Sequence, residues 1–342
     1  MKTRFKKMLS LALTLVLAVS LFPVAAFGAA VVDSGACGPH LTWTLDSAGT
    51  LTVSGVGQME APSSWTQTHR KDIKEVILKT GVTSVAANAF YDCPNLEKVS
   101  FPSSLEQIGR YAFYRCVSLK EAVIPSNVSF IGDYTFLGCT ALSKLKLPVA
   151  LSSISDYTFM SCVNLTELDI PAGVDSIGSA AFAECRRLRS VAFPQGLRIL
   201  KISAFSNCEG LRQIRISPAL NDIKMYAFSG CRNLTDVYYT GTETEWKNAL
   251  IDPSNTYLLN AKMHYNWKGA LPELPLPGDP DGDGKVTPAD ARLALRASVG
   301  LEGKIKPGTQ AFLAADADLD GVLTPADARL ILRASVGLEF LY

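Results

Sequence analysis

One phrase, repeated at a fixed interval, constrains this chain more than anything else in it. Phenylalanine stands at Phe90, Phe113, Phe136, Phe159, Phe182, Phe205 and Phe228, and cysteine follows three residues after each, from Cys93 to Cys231. Leucine follows three residues later again, from Leu96 to Leu234, and the interval is 23 residues at every step. A fixed period of this length marks a solenoid: no unit has enough apolar surface to fold alone, so stacking buries a continuous column of like side chains. Within a unit, leucine-x-x-apolar-x-apolar, as in Leu165, Leu168 and Ile170, reads as a short strand facing inward. A second apolar group, such as Ile131 or Ile177, precedes the phenylalanine and is expected to form the opposite wall.

The chain begins MKTRFKK, continues through an apolar run from Met8 to Phe22, and reaches small residues around Ala25, Gly28 and Ala30. That order reads as a secretory leader cut near Gly28 to Ala30; a membrane anchor would need about 20 apolar residues. Net charge is +1, and removal of Lys2, Arg4, Lys6 and Lys7 with the leader leaves about −3. A nearly neutral exported chain argues against nucleic acid as partner, and no transmembrane anchor is expected after cleavage.

Cysteines in an exported protein ordinarily suggest disulfides. Seven of the eight here hold the same place in successive units, and an odd ladder of identical positions about 4.8 Å apart has no natural pairing. Free, buried thiols packed as small hydrophobes are expected, with Cys37 outside the ladder left open.

Ahead of the repeats, the run from His40 to Gly55 holds two alternating segments around the turn Asp46 to Gly49, a hairpin suited to lidding the first coil. The outward strand positions carry more basic than acidic residues and almost no aromatics, which disfavours sugar stacking and suits a solvated face. Tyr111, Tyr134, Tyr157 and Tyr226 each lie two residues before a repeat phenylalanine and form a possible row. Past the repeats, GALPELPLPG over 269–278 reads as a stiff spacer spanning up to about 30 Å between domains.

Beyond it lies the strongest chemistry. DPDGDGKVTPAD and DADLDGVLTPAD begin 37 residues apart, each with aspartate at loop positions one, three, five and twelve and glycine at six. Oxygen donors in that spacing suit a hard cation of high coordination number, calcium above all. The expected ligands are Asp279, Asp281, Asp283 and Asp290 in the first loop and Asp316, Asp318, Asp320 and Asp327 in the second, with backbone carbonyls from Lys285 and Val322. TPADARLALRASVGLE and TPADARLILRASVGLE follow, each read as a helix starting at the proline after Thr. On the first, Leu293, Ala297 and Leu301 are expected to form the buried stripe, leaving Leu295 and Val299 outward with Arg296 and its twin Arg333 as a partner surface.

Two resemblances follow from these residues. Units such as VDSIGSAAFAECRRLRSVAFP resemble the BspA-like leucine-rich repeats, also called the Treponema pallidum type, of bacterial surface and secreted proteins. GPHLTWTLDSAGTLTVSGVGQM resembles the segment that opens such arrays, and DVYYTGTETEW with LLNAKMHYNW the segment that closes them. The paired loops, each followed by one helix and lacking the entering helix of an ordinary EF-hand, resemble a type I dockerin with two F-hand loops. That resemblance implies two calcium ions and docking to a cohesin module of a cellulosome-like scaffold. It places the cohesin contacts on Pro288, Ala289, Leu295, Arg296 and Gly300, and on Pro325, Ala326, Leu332, Arg333 and Gly337. Relatives often carry a hydroxyl pair where this chain has Pro-Ala, which bears on which cohesin is accepted.

The expected architecture is a β-rich leucine-rich-repeat solenoid of seven units with a hairpin N-cap, joined to a small all-α calcium-binding module. The expected domains are a signal peptide at 1–30, the hairpin cap at 31–70, repeats at 71–240, a closing cap at 241–268, the linker at 269–278 and the dockerin at 279–342. The function expected is non-catalytic recognition or adhesion on a calcium-dependent docking module. A host-interaction adhesin displayed at the cell surface is the alternative. An enzyme of a polysaccharide-degrading complex fits poorly, because no GxSxG, HExxH or Cys-His constellation is present.

Overall fold

The structure, a computed structural model, describes residues 29–60, 65–338 and 341, so nearly all of the expected leader lies outside the described residues. Two columns of short parallel strands run along the solenoid. One contains Thr50–Gly55, Glu75–Leu78 and Lys98–Ser100, then Glu121–Val123 with Lys144–Lys146, then Ser190–Ala192, Gln213–Ile216, Asp236–Tyr239 and Lys262–His264. The other runs from Gly57–Gln58 to Leu250–Ile251, with Ile131 over Ile108 and Ile177 over Ile154. Within the repeats each paired residue lies against its equivalent 23 positions away, as Leu145 does against Ala122 and Ile214 against Val191, while the capping strands at either end pair at longer offsets. The period therefore becomes a ladder of like side chains.

The repeat phenylalanines fill the axis. Neighbouring rings from Phe90 to Phe228 stack with centroids 5.2 to 5.8 Å apart, and all seven are fully buried. Burial of each contributes about 1.5–3 kcal/mol. The coil must turn sharply to bring them there, and it does so through residues two before and two after the ring. Tyr134 (φ 60°), Ala180 (φ 50°), Arg115 (φ 55°) and Ser161 (φ 60°) all take left-handed conformations. Each costs a residue with a Cβ about 1–2 kcal/mol. Hydrogen bonds to the next coil offset this, as where Phe113 N donates to Thr135 O at 2.9 Å and Phe159 N to Ala181 O at 2.8 Å.

All eight cysteines are free and buried. Six ladder thiols donate to the phenylalanine carbonyl one coil back, from Cys116 Sγ to Phe90 O at 3.1 Å through Cys231 Sγ to Phe205 O at 3.1 Å. Burial pushes the Cys93 and Cys185 thiols up to about 12, far from the thiolate form that oxidises or attacks.

The expected hairpin, Leu41–Asp46 against Thr50–Gly55, gains a third strand, Val31–Gly38, antiparallel to its outer edge. Buried Trp43 meets Trp65 edge-on at 5.3 Å, and Trp65 stacks on Phe90 at 6.1 Å, so two tryptophans close the aromatic column. Trp65 Nε1 donates to Ala89 O at 2.7 Å. His69 ties this cap together by bonding Asp33 of the added strand at 2.9 Å and Asp72 at 3.1 Å. At the far end, buried Trp246 on the helix Glu243–Lys247 packs edge-on against Tyr239 at 5.1 Å.

The last part of the chain forms three helices, Pro288–Ser298, Gln310–Ala315 and Pro325–Ser335, around a small core that includes Ala291, Ala294, Ile305, Ala315, Ala328 and Ile331. Two expectations need correction here. Gln310–Ala315 runs directly into the second loop, where the dockerin resemblance implies no entering helix. Leu301 is not in the buried stripe but 66% exposed, because Gly300 turns left-handed at φ 74° and ends the helix before it. Leu293 and Ala297 do pack against the core, as half-buried residues.

Candidate cation loops and docking surface

In each loop, alternating side-chain bonds wind the backbone around a point. Asp279 accepts from the amides of Gly282, Asp283 and Gly284, and Asp283 Oδ1 from Lys285 N at 2.9 Å. Asp316 accepts from Gly321 N, and Asp320 Oδ1 from Val322 N at 2.7 Å. Gly284 and Gly321 at position six are left-handed, at φ 83° and 81°, as the tight turn requires. Carboxylate oxygens of Asp279, Asp281 and Asp283 gather within 4.8 Å of one another, as do those of Asp316, Asp318 and Asp320. Like charges this close repel unless a cation lies among them.

The twelfth residues complete the test of fit. Asp290 and Asp327 are buried and serve the capping boxes of their helices through Oδ2, which accepts from Thr287 N and Thr324 N at 2.8 Å. Asp290 Oδ1 and Asp316 Oδ1 are buried acceptors with no hydrogen-bond partner. Orphaned carboxylate oxygens beside clustered aspartates are what a hard cation satisfies, so the donor set fits calcium. The loops are not equivalent, however. Asp327 Oδ1 accepts from Ala317 N at 2.8 Å and Asp318 N at 3.2 Å, whereas position two of the first loop is Pro280, which has no N–H to give.

The helices present a doubled surface. An open groove of about 370 Å³ between them is lined by Pro288, Ala291, Arg292 and Leu295 from one and Pro325, Ala328, Arg329 and Leu332 from the other. Every member has its counterpart 37 residues away, so the groove is its own image. Leu295 and Leu332 are exposed at 44% and 47%. Ala289 is exposed, Ala326 half-buried, and both donate their amides to the capping threonines. Arg296 Nη2 folds back to Leu301 O at 3.2 Å, while Arg333 occupies the matching exposed place. Gly300 and Gly337, at φ 74° and 75°, terminate their helices.

The linker does not stand free. Arg189 donates to Pro275 O and Gln213 to Pro272 O, both at 2.6 Å, and Arg187 donates to Leu341 O. Proline carbonyls are pure acceptors, and the arginine-rich end of the strand face supplies the donors. Burial lowers the Arg189 guanidinium to about 10, with Arg212 beside it adding to the effect. Arg212 and Asp316, only 5% and 2% exposed, form an ion pair at 3.7 Å. Burial pushes Asp316 up to about 6 against the pull of Arg212, and it lowers Arg212 despite Asp316. Both partners move toward their neutral forms, so desolvation outweighs attraction in this pair.

Toward the other end of the strand face charges pair across coils, Lys98 with Glu75, Lys120 with Glu97 and Lys144 with Glu121. The tyrosine row forms only in part. Tyr111, Tyr134 and Tyr157 stack at 4.7 Å and 9° and 3°, while Ala180 and Ser203 separate them from Tyr226. Rings that cover each other's faces along the axis offer a ligand their edges, not a stacking platform. Sequence reasoning missed the covered arginines; the signal available was the Pro-rich segment with no partner assigned to its carbonyls.

A parallel solenoid with a phenylalanine column and a two-walled core defines a leucine-rich-repeat protein. The chain belongs to the BspA type leucine rich repeat region family, which matches residues 68–166 and 152–260. It is similar to the solved leucine-rich-repeat protein of T. pallidum, with 24% identity over 67% of this chain and 97% of that one and a TM-score of 0.47. It is similar also to a leucine-rich repeat protein from Eubacterium ventriosum, at 19% identity over 68% of this chain and 84% of that one, TM-score 0.38. A leucine rich cell surface protein from Faecalibacterium prausnitzii matches at 18% identity over 63% and 97%, TM-score 0.31. No curated protein matches the chain. Among the described residues no helix is long and apolar enough to cross a membrane.

Proposed function

We propose that this is a secreted, non-catalytic recognition solenoid held on a scaffold by its last 64 residues, 279–342, through a calcium-dependent contact with a cohesin module. The observation that carries the reading is the doubled site: two loops with clustered aspartates, each leading into a capped helix, and between the helices one groove with paired lining residues. Calcium closes each loop and fixes the angle at which its helix leaves. The exposed Leu-Arg pairs then face the partner. The solenoid is the cargo, and its ligand is a protein or polysaccharide met outside the cell.

The loops exist as sites only in the folded form, so each occupied site adds about 2.7 kcal/mol when free calcium is a hundredfold above its dissociation constant. Calorimetry with and without chelator tests this. The transition of residues 279–342 should fall steeply in temperature on chelation while that of the solenoid stays nearly fixed; one unchanged melting profile would remove calcium from the account.

A further inference from the structure

The second acidic loop departs from the first at the positions that meet the solenoid. Position four is Gly282 in the first loop, where an added Cβ would meet nothing, and Leu319 in the second. Leu319 takes the left-handed conformation at φ 62° despite its side chain, which is 5% exposed, and its carbonyl accepts from Asn233 Nδ2 of the solenoid at 2.8 Å. A leucine in a conformation that favours glycine needs a compensating contact, and here the solenoid provides it. At position one, Asp316 has the Arg212 guanidinium 3.7 Å away, whereas Asp279 is held by loop amides.

We propose that the second loop is also a tongue that docks the C-terminal module on the arginine-rich strand face of the last repeats, and that calcium in this loop opposes docking. Arg212 contributes one positive charge to a cluster that a divalent cation also seeks, and the two repel at close range in a buried setting. The ion pair they compete for is a weak latch: Arg212 Nε and Nη2 have no hydrogen-bond partner, and Asp316 Oδ1 is left over. Because coupling between two binding events is reciprocal, whatever factor docking takes from the calcium affinity of this loop, calcium takes from docking. At low calcium the first loop fills and the module stays docked. At higher calcium the second fills, the tongue lifts, and Arg189, Arg212 and Gln213 become available to a ligand. The groove around Leu295 and Leu332 faces solvent in the docked state, so cohesin capture does not wait on release.

This rests on the calcium reading of the loops, and the test separates the two. The full chain is titrated with calcium by isothermal calorimetry, and small-angle scattering records the radius of gyration at each step. The step lost in Asp318→Asn/Asp320→Asn belongs to the second loop. Arg212→Gln should move that step alone to calcium concentrations about tenfold lower, within the usual range of coupling between sites. Asn233→Ala, which removes the bond to Leu319 O without touching Arg212, should move it in the same direction. The radius of gyration should rise with the second step in the wild type and be raised already at low calcium in both variants. Unchanged or weakened uptake by the second loop in both variants, or a radius of gyration indifferent to calcium, overturns the clasp while leaving calcium binding intact. No uptake at either loop overturns both.

Discussion

Asn255 Oδ1 accepts the amide of Phe228 at 2.9 Å, standing where the next coil's carbonyl would be if the array continued. In earlier units the same bond goes to backbone 22 residues on, as from Phe205 N to Ala227 O at 2.8 Å. Ser254 Oγ does the same for Tyr226 N at 2.7 Å. Two consecutive side chains thus counterfeit one missing repeat, and Asn255, fully buried, also donates to Lys224 O and Asp252 O at 3.0 Å.

Asn255→Ala leaves a buried donor and two carbonyls without partners, so it should cost about 1–3 kcal/mol for the exposed mismatch. Amide exchange at Phe228 should accelerate far more than at Phe159. Equal acceleration along the array would mean that the end is held by something else.

Phe159 lies mid-column between Phe136 and Phe182, with centroids at 5.4 and 5.3 Å. Phe159→Ala should cost about 3–5 kcal/mol. Lys144→Ala, which removes only an exposed pair with Glu121, should cost about 0–1 kcal/mol. Denaturant midpoints give the comparison.

The thiols should resist alkylation in the native protein and all eight should react once it is unfolded, without reductant. Labelling that requires reductant would mean disulfides formed on export.

His69 makes the N-terminal cap pH-sensitive. Its hydrogen bond to Asp72 raises it above the ordinary 6.5, burial opposes, and Asp33 adds to the rise. A histidine raised on folding contributes stability that is complete below its unfolded value and is lost as pH climbs through the folded one. The stability gap between wild type and His69→Gln should therefore be widest near about pH 5.5 and shrink by about pH 8. A gap that grows with pH would place the interaction elsewhere.

How far the sequence could be read depended on whether a residue acts through its type or its place. Phe and Cys at a 23-residue interval, and Asp at alternate loop positions, act through type, and both survive as a buried column and as clustered carboxylates. Val31–Gly38 was illegible because VVDSGACG has too few apolar side chains to alternate and pairs through its backbone. Ser254 and Asn255 were illegible because they imitate backbone, which leaves no pattern. Leu301 was misread because helical periodicity was carried past Gly300. The docking of the linker depends on carbonyls, which every residue has.

The central claim, attachment through a doubled calcium-dependent surface, is tested most directly by cohesin capture. Full-length protein with calcium is passed over an immobilised panel of type I cohesins as wild type, as Leu295→Ala/Arg296→Ala, as Leu332→Ala/Arg333→Ala, and with all four changes. Because the two helices differ only at Ala294 and Ile331, a half turn exchanges one exposed Leu-Arg pair for the other, and the account expects either pair to serve as the contact. Each pair of changes alone should weaken capture only slightly, the four together should abolish it, and chelation should abolish it in every case. Loss of capture from one pair alone, with the calcium-loaded fold intact, would contradict the symmetric surface, and capture that survives chelation would contradict the claim itself.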